Sequence, residues 1–189
     1  MARLIVEEIV SADGTAADAD GGMAFVPESV DEGDVDTEQV QRLRDLSAIV
    51  LGATTYRMFV DYWPTQTPEQ EPISQLINTL PKHVVSHSLD AAPWGEHEAA
   101  IVERGDGVEV VRRLKRSYDG EIVLWGSLTL AAAAFAGGEV DVLRLRVLPT
   151  LIGGGRGVVP PTLPVTSLRL VSVHAHGGGQ VALEYDVQR

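Results

Sequence analysis

Residues 121–157 read EIVLWGSLTLAAAAFAGGEVDVLRLRVLPTLIGGGRG, and this stretch decides the fold. The apolar run at 122–125 is typical of a strand buried in a parallel sheet, and at Gly126-Ser127 the hydrophobic pattern becomes helical. Residues 128–135 carry four consecutive alanines and no charge, which predicts a helix packed on both sides. We therefore expect a strand that feeds a buried helix through a tight turn.

The second half of the stretch predicts a return strand. Gly137-Gly138 ends the helix, because glycine is common just beyond a helix C-terminus. Residues 140–147 then alternate between apolar and polar types, which is typical of a strand partly open to water. Residues 149–157 form a glycine-rich loop. The stretch is thus a β-α-β unit of an α/β fold.

The turn at Gly126 is a candidate ligand site. Glycine adopts backbone conformations closed to other residues, and Ser127 or Thr129 can cap the helix that follows. The amides that open this helix would then offer a phosphate the positive end of the helix dipole. One Gly-Ser pair fits an ordinary strand-to-helix turn equally well, so these residues alone leave both interpretations open.

Length and composition predict one globular domain over residues 1–189. With 44% hydrophobic and 22% charged residues, a chain of 189 residues can bury one sizeable core. The absence of cysteine excludes disulfides, thiolate nucleophiles and cysteine metal sites, and favours the cytoplasm. Two glutamates interrupt the apolar run at the N-terminus, and no run of 18 apolar residues occurs, so we expect a soluble protein.

The charge of the chain is negative and unevenly distributed. A net charge of −12 argues against binding to nucleic acid or to an anionic membrane, since both need a basic surface. Residues 1–45 carry a net charge of −9, whereas residues 137–189 carry +1. An anionic ligand is therefore repelled less by the C-terminal third.

The predicted first strand, residues 4–10, contains two adjacent glutamates. Neighbours on a strand point to opposite faces, so Glu7 and Glu8 cannot both face solvent in an internal strand, and one would enter a pocket. In an edge or frayed strand both stay hydrated. A turn at 11–14 leads into an acidic, aperiodic segment, 15–36, which we expect to act as a lid because loops this long are commonly functional.

A second strand repeats the arrangement seen at Gly126. The short apolar run at 48–51 is followed by Gly52-Ala53-Thr54-Thr55 and then by a helix that carries Tyr56, Phe59, Val60 and Trp63. The order is again strand, glycine, hydroxyl and helix. The chain therefore has two candidate turns for a phosphate or a ribose.

Seven further elements complete the predicted chain. They are helices at 37–46, 73–80 and 107–118, and strands at 83–88, 99–102, 168–173 and 180–187, the last two forming an antiparallel pair across the glycines at 177–179. His83 and His87 are too far apart on a strand, about 13 Å, to share a metal. His174 and His176 have no third ligand nearby. We expect no metal site.

Several common sites are excluded by their motifs. Residues 153–157, GGGRG, lack the lysine and the spacing of a P-loop, and no complete G-x-G-x-x-G follows the first strand. Ser127 follows Gly126 directly, which does not match the G-x-S-x-G of a serine hydrolase. NTPase, standard Rossmann and serine-hydrolase functions are therefore not expected.

Five blocks in order carry a family resemblance. They are LIVEEIVSADG at 4–14, LGATTYRMFVDYWP at 51–64, PKHVVSHS at 81–88, WGSLTLAAAAF at 125–135 and VDVLRLRVLPTLIGGGRG at 140–157. Together they resemble the dihydrofolate-reductase-like superfamily, and within it the reductase domain of bacterial riboflavin biosynthesis, the C-terminal domain of the bifunctional deaminase-reductase. The resemblance covers nearly the whole chain.

The resemblance implies a three-layer α/β/α fold with a twisted, mostly parallel sheet and a C-terminal antiparallel pair. It also implies a nicotinamide dinucleotide, usually NADPH, across the carboxyl ends of the strands. The substrate would lie between the first strand, the loop after it and the helix 56–63, so that Glu8, Asp13, Tyr56 and Trp63 are the candidate substrate-binding residues. The implied cofactor-binding residues are Gly52, Ala53, Thr54, Thr55, Ser86, His87, Ser88, Gly126, Ser127, Leu128 and Thr129.

The sequence departs from dihydrofolate reductases at two points. Ala53 occupies a position where those enzymes often have a basic residue for the 2′-phosphate, and only His87 offers a replacement, so NADPH is expected with NADH as the alternative. No residue matches the acid that assists pteridine protonation. Asp13, Glu8 and Asp36 are candidates, and the catalytic residue is left unassigned.

The resulting expectation is an NAD(P)H-dependent reductase that transfers a hydride to a small pteridine- or pyrimidine-like substrate. One alternative is a nucleotide-binding module of the same fold that catalyses nothing. Another is 5-amino-6-(5-phosphoribosylamino)uracil reductase, which the scarcity of cations in the first third disfavours. We also expect a homodimer, since strands 140–147, 168–173 and 181–187 would otherwise leave apolar side chains and edge groups in water.

Overall fold

The computed structural model describes residues 1–26 and 40–188. Five helices occur in this part of the chain, and of the first of them, α1, residues 40–44 are described. The others are α2 (Ala53–Tyr62), α3 (Ser74–Thr79), α4 (Gly107–Ser117) and α5 (Leu128–Ala136). The strands are β1 (Arg3–Ser11), β2 (Thr15–Ala17), β3 (Leu46–Gly52), β4 (Lys82–Val85), β5 (Ala92–Trp94), β6 (His97–Glu103), β7 (Glu121–Leu124), β8 (Val142–Leu148), β9 (Arg156–Gly157), β10 (Leu168–Ala175) and β11 (Val181–Val187).

Nine strands form one sheet in the order β10-β11-β8-β1-β7-β3-β4-β6-β5. Strands β8, β1, β7, β3, β4 and β6 run parallel to one another, whereas β11 is antiparallel to both β8 and β10, and β5 is antiparallel to β6. Residues 48–51 of β3 and 122–124 of β7, at the centre of the sheet, are all apolar and buried because both faces of the sheet are covered. The predicted mostly parallel sheet with a C-terminal antiparallel pair is confirmed.

Helices cover the two faces of the sheet and make three layers. On one face Leu4, Val6 and Leu124 pack against α4 and α5, whose buried residues include Val111 and Leu130. On the other face Ile5, Ile49 and Val123 pack with residues of α1, α2 and α3. Because β1, β7 and β3 are parallel, their carboxyl ends lie at one edge of the sheet, between the two helical layers.

The structure corrects the prediction for β8. The Leu-Arg-Leu-Arg alternation indicated a strand partly open to water and short of a neighbour, but β8 lies between β1 and β11. Arg144 is buried, and its guanidinium contacts the carboxylates of Glu184 at 2.6 Å and Glu121 at 3.5 Å. An internal ion-pair cluster thus gave the same sequence pattern as a hydrated face. The exposed edge of this half of the sheet is β10, not β8.

The N-terminal loop is also more ordered than predicted. Strand β2 pairs with β9, Thr15 opposite Gly157 and Ala17 opposite Arg156, so the segment after β1 is joined to the glycine-rich loop after β8. Strands of three and two residues are too short to show a periodic pattern. Asp36, the start of the predicted helix 37–46 and residues 27–36 of the expected lid lie outside the described residues.

The end of β4 and the lengths of the helices are two further features of the fold. Strand β4 ends at Val85 rather than at Ser88, so the residues 86–88 form the loop that leaves the sheet. In the part of the chain that the structure describes, no helix has the length and apolar character needed to span a bilayer.

Candidate functional site

A cavity of about 560 Å³ opens at the carboxyl ends of β1, β3 and β7. Ligands of open α/β sheets bind at this edge, because helices begin there and point their amides outward. Its wall is formed by Glu7, Glu8, Ile9, Ala16, Ala17, Gly21, Met23, Gly52, Ala53, Thr54, Thr55, Met58, Phe59, Tyr62, Trp63, Glu71, Ile73, Ile77, Val85, Trp125, Gly126, Ser127, Leu128, Thr129, Arg146 and Arg156.

The two predicted turns lie side by side in this wall. The amide of Gly52 donates to the carbonyl oxygen of Gly126 at 3.0 Å. A Cβ on Gly52 would lie 2.7 Å from the Cβ of Ser127, and one on Gly126 would lie 2.5 Å from the Oγ1 of Thr55, so both positions need glycine. Gly126 also has a positive φ of 51°, and its peptide bond to Ser127 is cis.

All eight residues that the sequence predicted at these turns, 52–55 and 126–129, line the cavity. Helices α2 and α5 begin there, and their first amides have no partner within the helix. The Oγ of Ser127 accepts a hydrogen bond from the amide of Leu130 at 3.2 Å, whereas Gly52 gives α2 no side-chain cap. Both helix N-termini therefore present N–H groups to one cavity, an arrangement that suits an anion.

Arg156 is a cavity residue that the sequence analysis missed. Its Nη2 donates to the Oγ1 of Thr129 at 3.2 Å, which places the guanidinium beside the N-terminus of α5. Strand β9 is held there by β2, and a Cβ on Gly155 would overlap the carbonyl oxygen of Ala17. The sequence predicted a glycine-rich loop at 149–157, and it gave no sign of the contact between Gly155 and Ala17.

The residues 86–88 lie outside the cavity wall, which Val85 reaches instead. Ser86 is buried, and its Oγ accepts from the amides of Ser88 at 3.2 Å and Leu89 at 3.1 Å. His87 is exposed beside this loop. Arg104, a second missed cation, donates to the carbonyl oxygens of Ser86 and Leu89.

Three aromatic side chains, those of Phe59, Trp63 and Trp125, form another part of the cavity wall. The ring of Phe59 lies 6.1 Å from that of Trp63 and 5.9 Å from that of Trp125, centroid to centroid. Trp63 lines the cavity as predicted. Tyr56 does not, because it is buried on the other side of α2 and donates to the carbonyl oxygen of Pro93 at 2.7 Å. Tyr56 therefore packs in the core, although its place on the helix had suggested a substrate contact.

A polar network behind this wall fixes Trp63. The Nδ2 of Asn78 donates to the carbonyl oxygen of Trp63 at 3.0 Å, and its Oδ1 accepts from the indole of Trp94 at 2.8 Å. Lys82 is buried, and its ammonium donates to the carbonyl oxygens of Ile77, Asn78 and Leu80 at 2.7 to 3.0 Å. Burial lowers the pKa of Lys82 to about 8.

Both glutamates of β1 reach the cavity wall, and β1 is internal, so the edge-strand alternative is wrong. Glu7 lies 3.9 Å from Nη1 of Arg144. The Oε1 of Glu8 accepts from the amide of Gly126 at 3.1 Å. Burial raises the pKa of Glu8 to about 7, against the hydrogen bond from Gly126, while the charge of Glu7 adds to the rise.

Asp13, predicted as a substrate contact, does not line the cavity. Its carboxylate accepts from the Oγ of Ser11 at 2.6 Å and from the amides of Gly153 at 2.8 Å and Ile152 at 3.3 Å. These hydrogen bonds, that of Ser11 foremost, lower its pKa. Asp13 thus ties the turn after β1 to the glycine-rich loop.

The chain belongs to the RibD C-terminal domain family, whose model matches residues 2–182. It is 23% identical, over 97% of its length and 94% of the other chain, to an uncharacterised protein of Bacillus subtilis strain 168, YyaP. A putative riboflavin biosynthesis protein from a Shewanella species superposes with a TM-score of 0.75 at 20% identity, each chain being fully covered. Dihydrofolate reductase from Enterococcus faecalis, complexed with NADP(H), superposes at 0.65 with 13% identity, covering 99% of this chain and 97% of that one. The predicted superfamily, branch and fold are confirmed.

Proposed function

We propose that this protein is an NADPH-dependent reductase that transfers a hydride to a small planar heterocycle of the pteridine or pyrimidine type. The observation that carries the proposal is the contact between the two glycine turns, 3.0 Å from the amide of Gly52 to the carbonyl of Gly126. This contact brings the N-termini of α2 and α5 to one cavity that also has an aromatic wall. Anion binding and ring stacking are the two needs of a reductase of this kind.

The residues present fit a dinucleotide. A side chain at Gly52 would collide with Ser127 and one at Gly126 with Thr55, so the two turns need both glycines to lie side by side. The amides of residues 53–55 and 127–129 are the groups that would hold the pyrophosphate. Arg156 adds a full positive charge beside α5. When bound, the cofactor supplies the hydride from its reduced nicotinamide ring.

The choice of NADPH over NADH rests on the loop 86–88. His87 is exposed there, and Arg104 holds the same loop through the carbonyls of Ser86 and Leu89. A 2′-phosphate beside these two side chains would gain charge-assisted hydrogen bonds, whereas the hydroxyl of NADH would not. We expect NADH to bind more weakly.

The protein's own residues perform binding, orientation and exclusion of water. Phe59, Trp63 and Trp125 offer flat apolar surfaces that orient a ring, and Asn78 fixes the backbone of Trp63. Residues 16, 17, 21 and 23 close the cavity from the N-terminal side. A reacting ring held between these surfaces is removed from bulk water, which strengthens each polar contact that it makes.

A second candidate is 5-amino-6-(5-phosphoribosylamino)uracil reductase. The first third of the chain has few cations to bind its phosphate, but Arg146 and Arg156 both line the cavity and come from the C-terminal half. Two guanidinium groups in one cavity can bind the phosphate of such a substrate. Comparing turnover of a phosphoribosylated pyrimidine with that of an unphosphorylated pterin separates the two candidates.

The proposed function is tested by incubating the protein with NADPH and a panel of pterins and aminopyrimidines. Oxidation of NADPH is measured as the loss of its absorbance. We expect at least one of them to be reduced, and Phe59→Ala to raise KM because stacking surface is lost. Arg116→Gln, at an exposed position of α4, serves as the control. Tight NADPH binding without turnover of any compound would instead favour the non-catalytic module.

We also propose that the protein forms a homodimer through β10. This edge strand exposes Leu168, Leu170, Val171 and Val173, each between 42 and 54%. Its side chains are open on both faces, and its outer edge has free ladder groups. A two-fold axis beside β10 would bury the same strand of a second copy.

A further inference from the structure

Among the residues that the structure describes, three carboxyl groups line the cavity, and they differ in what they contact. Glu7 lies near the guanidinium of Arg144, and the carboxylate of Glu71 accepts from the hydroxyl of Tyr62. For Glu8 the described part of the chain provides one hydrogen bond, from the amide of Gly126 to Oε1. Glu8 is thus the carboxyl of this wall that no cation or hydroxyl among those residues engages, and its Oε2 is available to a ligand.

The position of Glu8 joins the two halves of the cavity. Its strand, β1, pairs with β7, which leads into the turn at Gly126 and into α5. Trp125, the residue before that turn, belongs to the aromatic wall. A carboxyl beside Gly126 therefore lies where a cofactor bound at the turn and a ring stacked on the aromatic wall would meet.

The surroundings of Glu8 favour its neutral form. Within residues 1–26 and 40–188, the other charged groups that face the cavity are Glu7 from β1, Glu71 from the segment before α3, Arg146 from β8 and Arg156 from β9. Burial is the largest influence and the charge of Glu7 acts in the same direction, which together outweigh the bond from Gly126 and give a pKa of about 7. An acid with a pKa near the operating pH is the most effective proton donor.

We propose that Glu8 is the general acid of this site and that the substrate contains a ring C=N bond. Hydride from the reduced nicotinamide dinucleotide adds to the carbon, and the π electron pair moves to the nitrogen. The nitrogen takes the proton from the carboxyl of Glu8, which becomes a carboxylate and regains a proton from water after product release. One C–H and one N–H bond form, the substrate is reduced, and the cofactor is oxidised. This assignment rests on the proposed reductase function.

The first test observes the proton itself and needs no substrate. Carboxyl resonances of protein labelled with ¹³C at the glutamate side chains are titrated with and without NADPH, and Glu8→Gln identifies the resonance of Glu8. We expect a midpoint near pH 7 in the free protein and a neutral carboxyl at pH 7 in the NADPH complex. A midpoint below about 5 in the complex would overturn the proposal, since an ionised carboxylate has no proton to give. Glu69→Gln, an exposed change outside the cavity, is the control.

The second test measures rate with 6-methyl-7,8-dihydropterin, a compound with a ring C=N bond, as the probe. In the wild type kcat/KM should fall as the pH rises through 7, and Glu8→Gln should lower it by about 100-fold or more at pH 6.5 and remove that dependence. Glu8→Asp should restore part of the rate. A pH profile that is the same in wild type and Glu8→Gln would contradict the assignment even if the rate fell.

The two tests separate this inference from the proposed function. If the wild type fails to bind NADPH, the reductase function is wrong, and so is the role of Glu8. If NADPH binds and Glu8 is ionised in the complex, the reductase function stands and only the acid is misassigned. If NADPH binds but the probe is not reduced, the carboxyl titration in the NADPH complex by itself decides the role of Glu8.

Discussion

The amide of Gly126 donates to the Oε1 of Glu8 at 3.1 Å, which ties the first strand of the chain to the turn that opens α5. The half-buried carboxyl of Glu8 is thereby held beside the turn that opens α5, and Trp125 of the aromatic wall directly precedes that turn. The cavity is polar where the cofactor is proposed to bind and apolar where the substrate is proposed to stack. The raised pKa of Glu8 at this position also makes the stability of the protein depend on pH.

We expect Glu8 to lower the stability of the folded protein as the pH rises. Its pKa is raised from 4.5 to about 7, so the folded state binds more protons than the unfolded state between these values. The resulting stabilisation is complete below pH 4.5 and is lost as the pH rises through 7, with a total of about 3 kcal/mol. The free energy of unfolding of wild type minus that of Glu8→Gln, from urea titrations, should therefore be larger at pH 5 than at pH 8. An equal difference at both would show that Glu8 is not buried as described.

Lys82→Met should destabilise the fold through α3. The substitution keeps an apolar side chain but leaves the carbonyl oxygens of Ile77, Asn78 and Leu80 without their shared donor. We expect a loss of about 3 kcal/mol in urea unfolding, since buried acceptors lose a charged partner. Arg116→Met, at an exposed position of α4, should change stability by less than about 0.5 kcal/mol. A similarly small effect of Lys82→Met and Arg116→Met would mean that water, and not Lys82, satisfies the carbonyl oxygens at the end of α3.

Gly155→Ala should separate β2 from β9. Gly155 has a φ of 135°, and a Cβ there would overlap the carbonyl oxygen of Ala17, so the pairing cannot persist unchanged. We expect hydrogen exchange of the paired amides to accelerate and NADPH affinity to fall, because β9 positions Arg156. Gly154→Ala is the matched control, since a Cβ at Gly154 meets nothing within 4 Å. Identical exchange in the two variants would contradict the pairing.

Leu170→Asp should dissociate the proposed dimer. Leu170 is 51% exposed on β10, so a charge there costs the isolated chain little but would be buried across a two-fold interface. Sedimentation of the wild type should give twice the chain mass of 20.3 kDa, and the variant should give the chain mass. Val165→Asp, at a fully exposed position before β10, is the control. A wild type that sediments at the chain mass rejects the dimer. Charges at Leu143 or Leu145 would not serve, because β8 is internal and both contribute to the core.

The glycine turns could be predicted because each signal is local. A short apolar run, a glycine, a hydroxyl and a helical pattern occur within ten residues at both 48–57 and 122–131. Their meeting in space follows from parallel strands that end at one edge of the sheet.

The role of Arg156 could not be predicted, because its contact with Thr129 depends on the pairing of β2 with β9, which are too short to show a pattern. Tyr56 illustrates the opposite limit. Helical spacing correctly placed Tyr56 and Phe59 on one helix, which ends just before Trp63, but the side on which a buried aromatic faces depends on distant partners, here Pro93 and Trp94. Asp13 was predicted to contact substrate, but its carboxylate binds the amides of residues 152 and 153, which are remote in sequence.

The most direct test is titration of the protein with NADPH by calorimetry, with Arg156→Gln beside the wild type and Arg116→Gln, at an exposed position of α4, as the control. We expect saturable micromolar binding to wild type and control, and an affinity about 5- to 30-fold lower for Arg156→Gln, the loss of a charge-assisted contact worth 1 to 2 kcal/mol. Absence of binding to the wild type at about 1 mM NADPH would contradict the account.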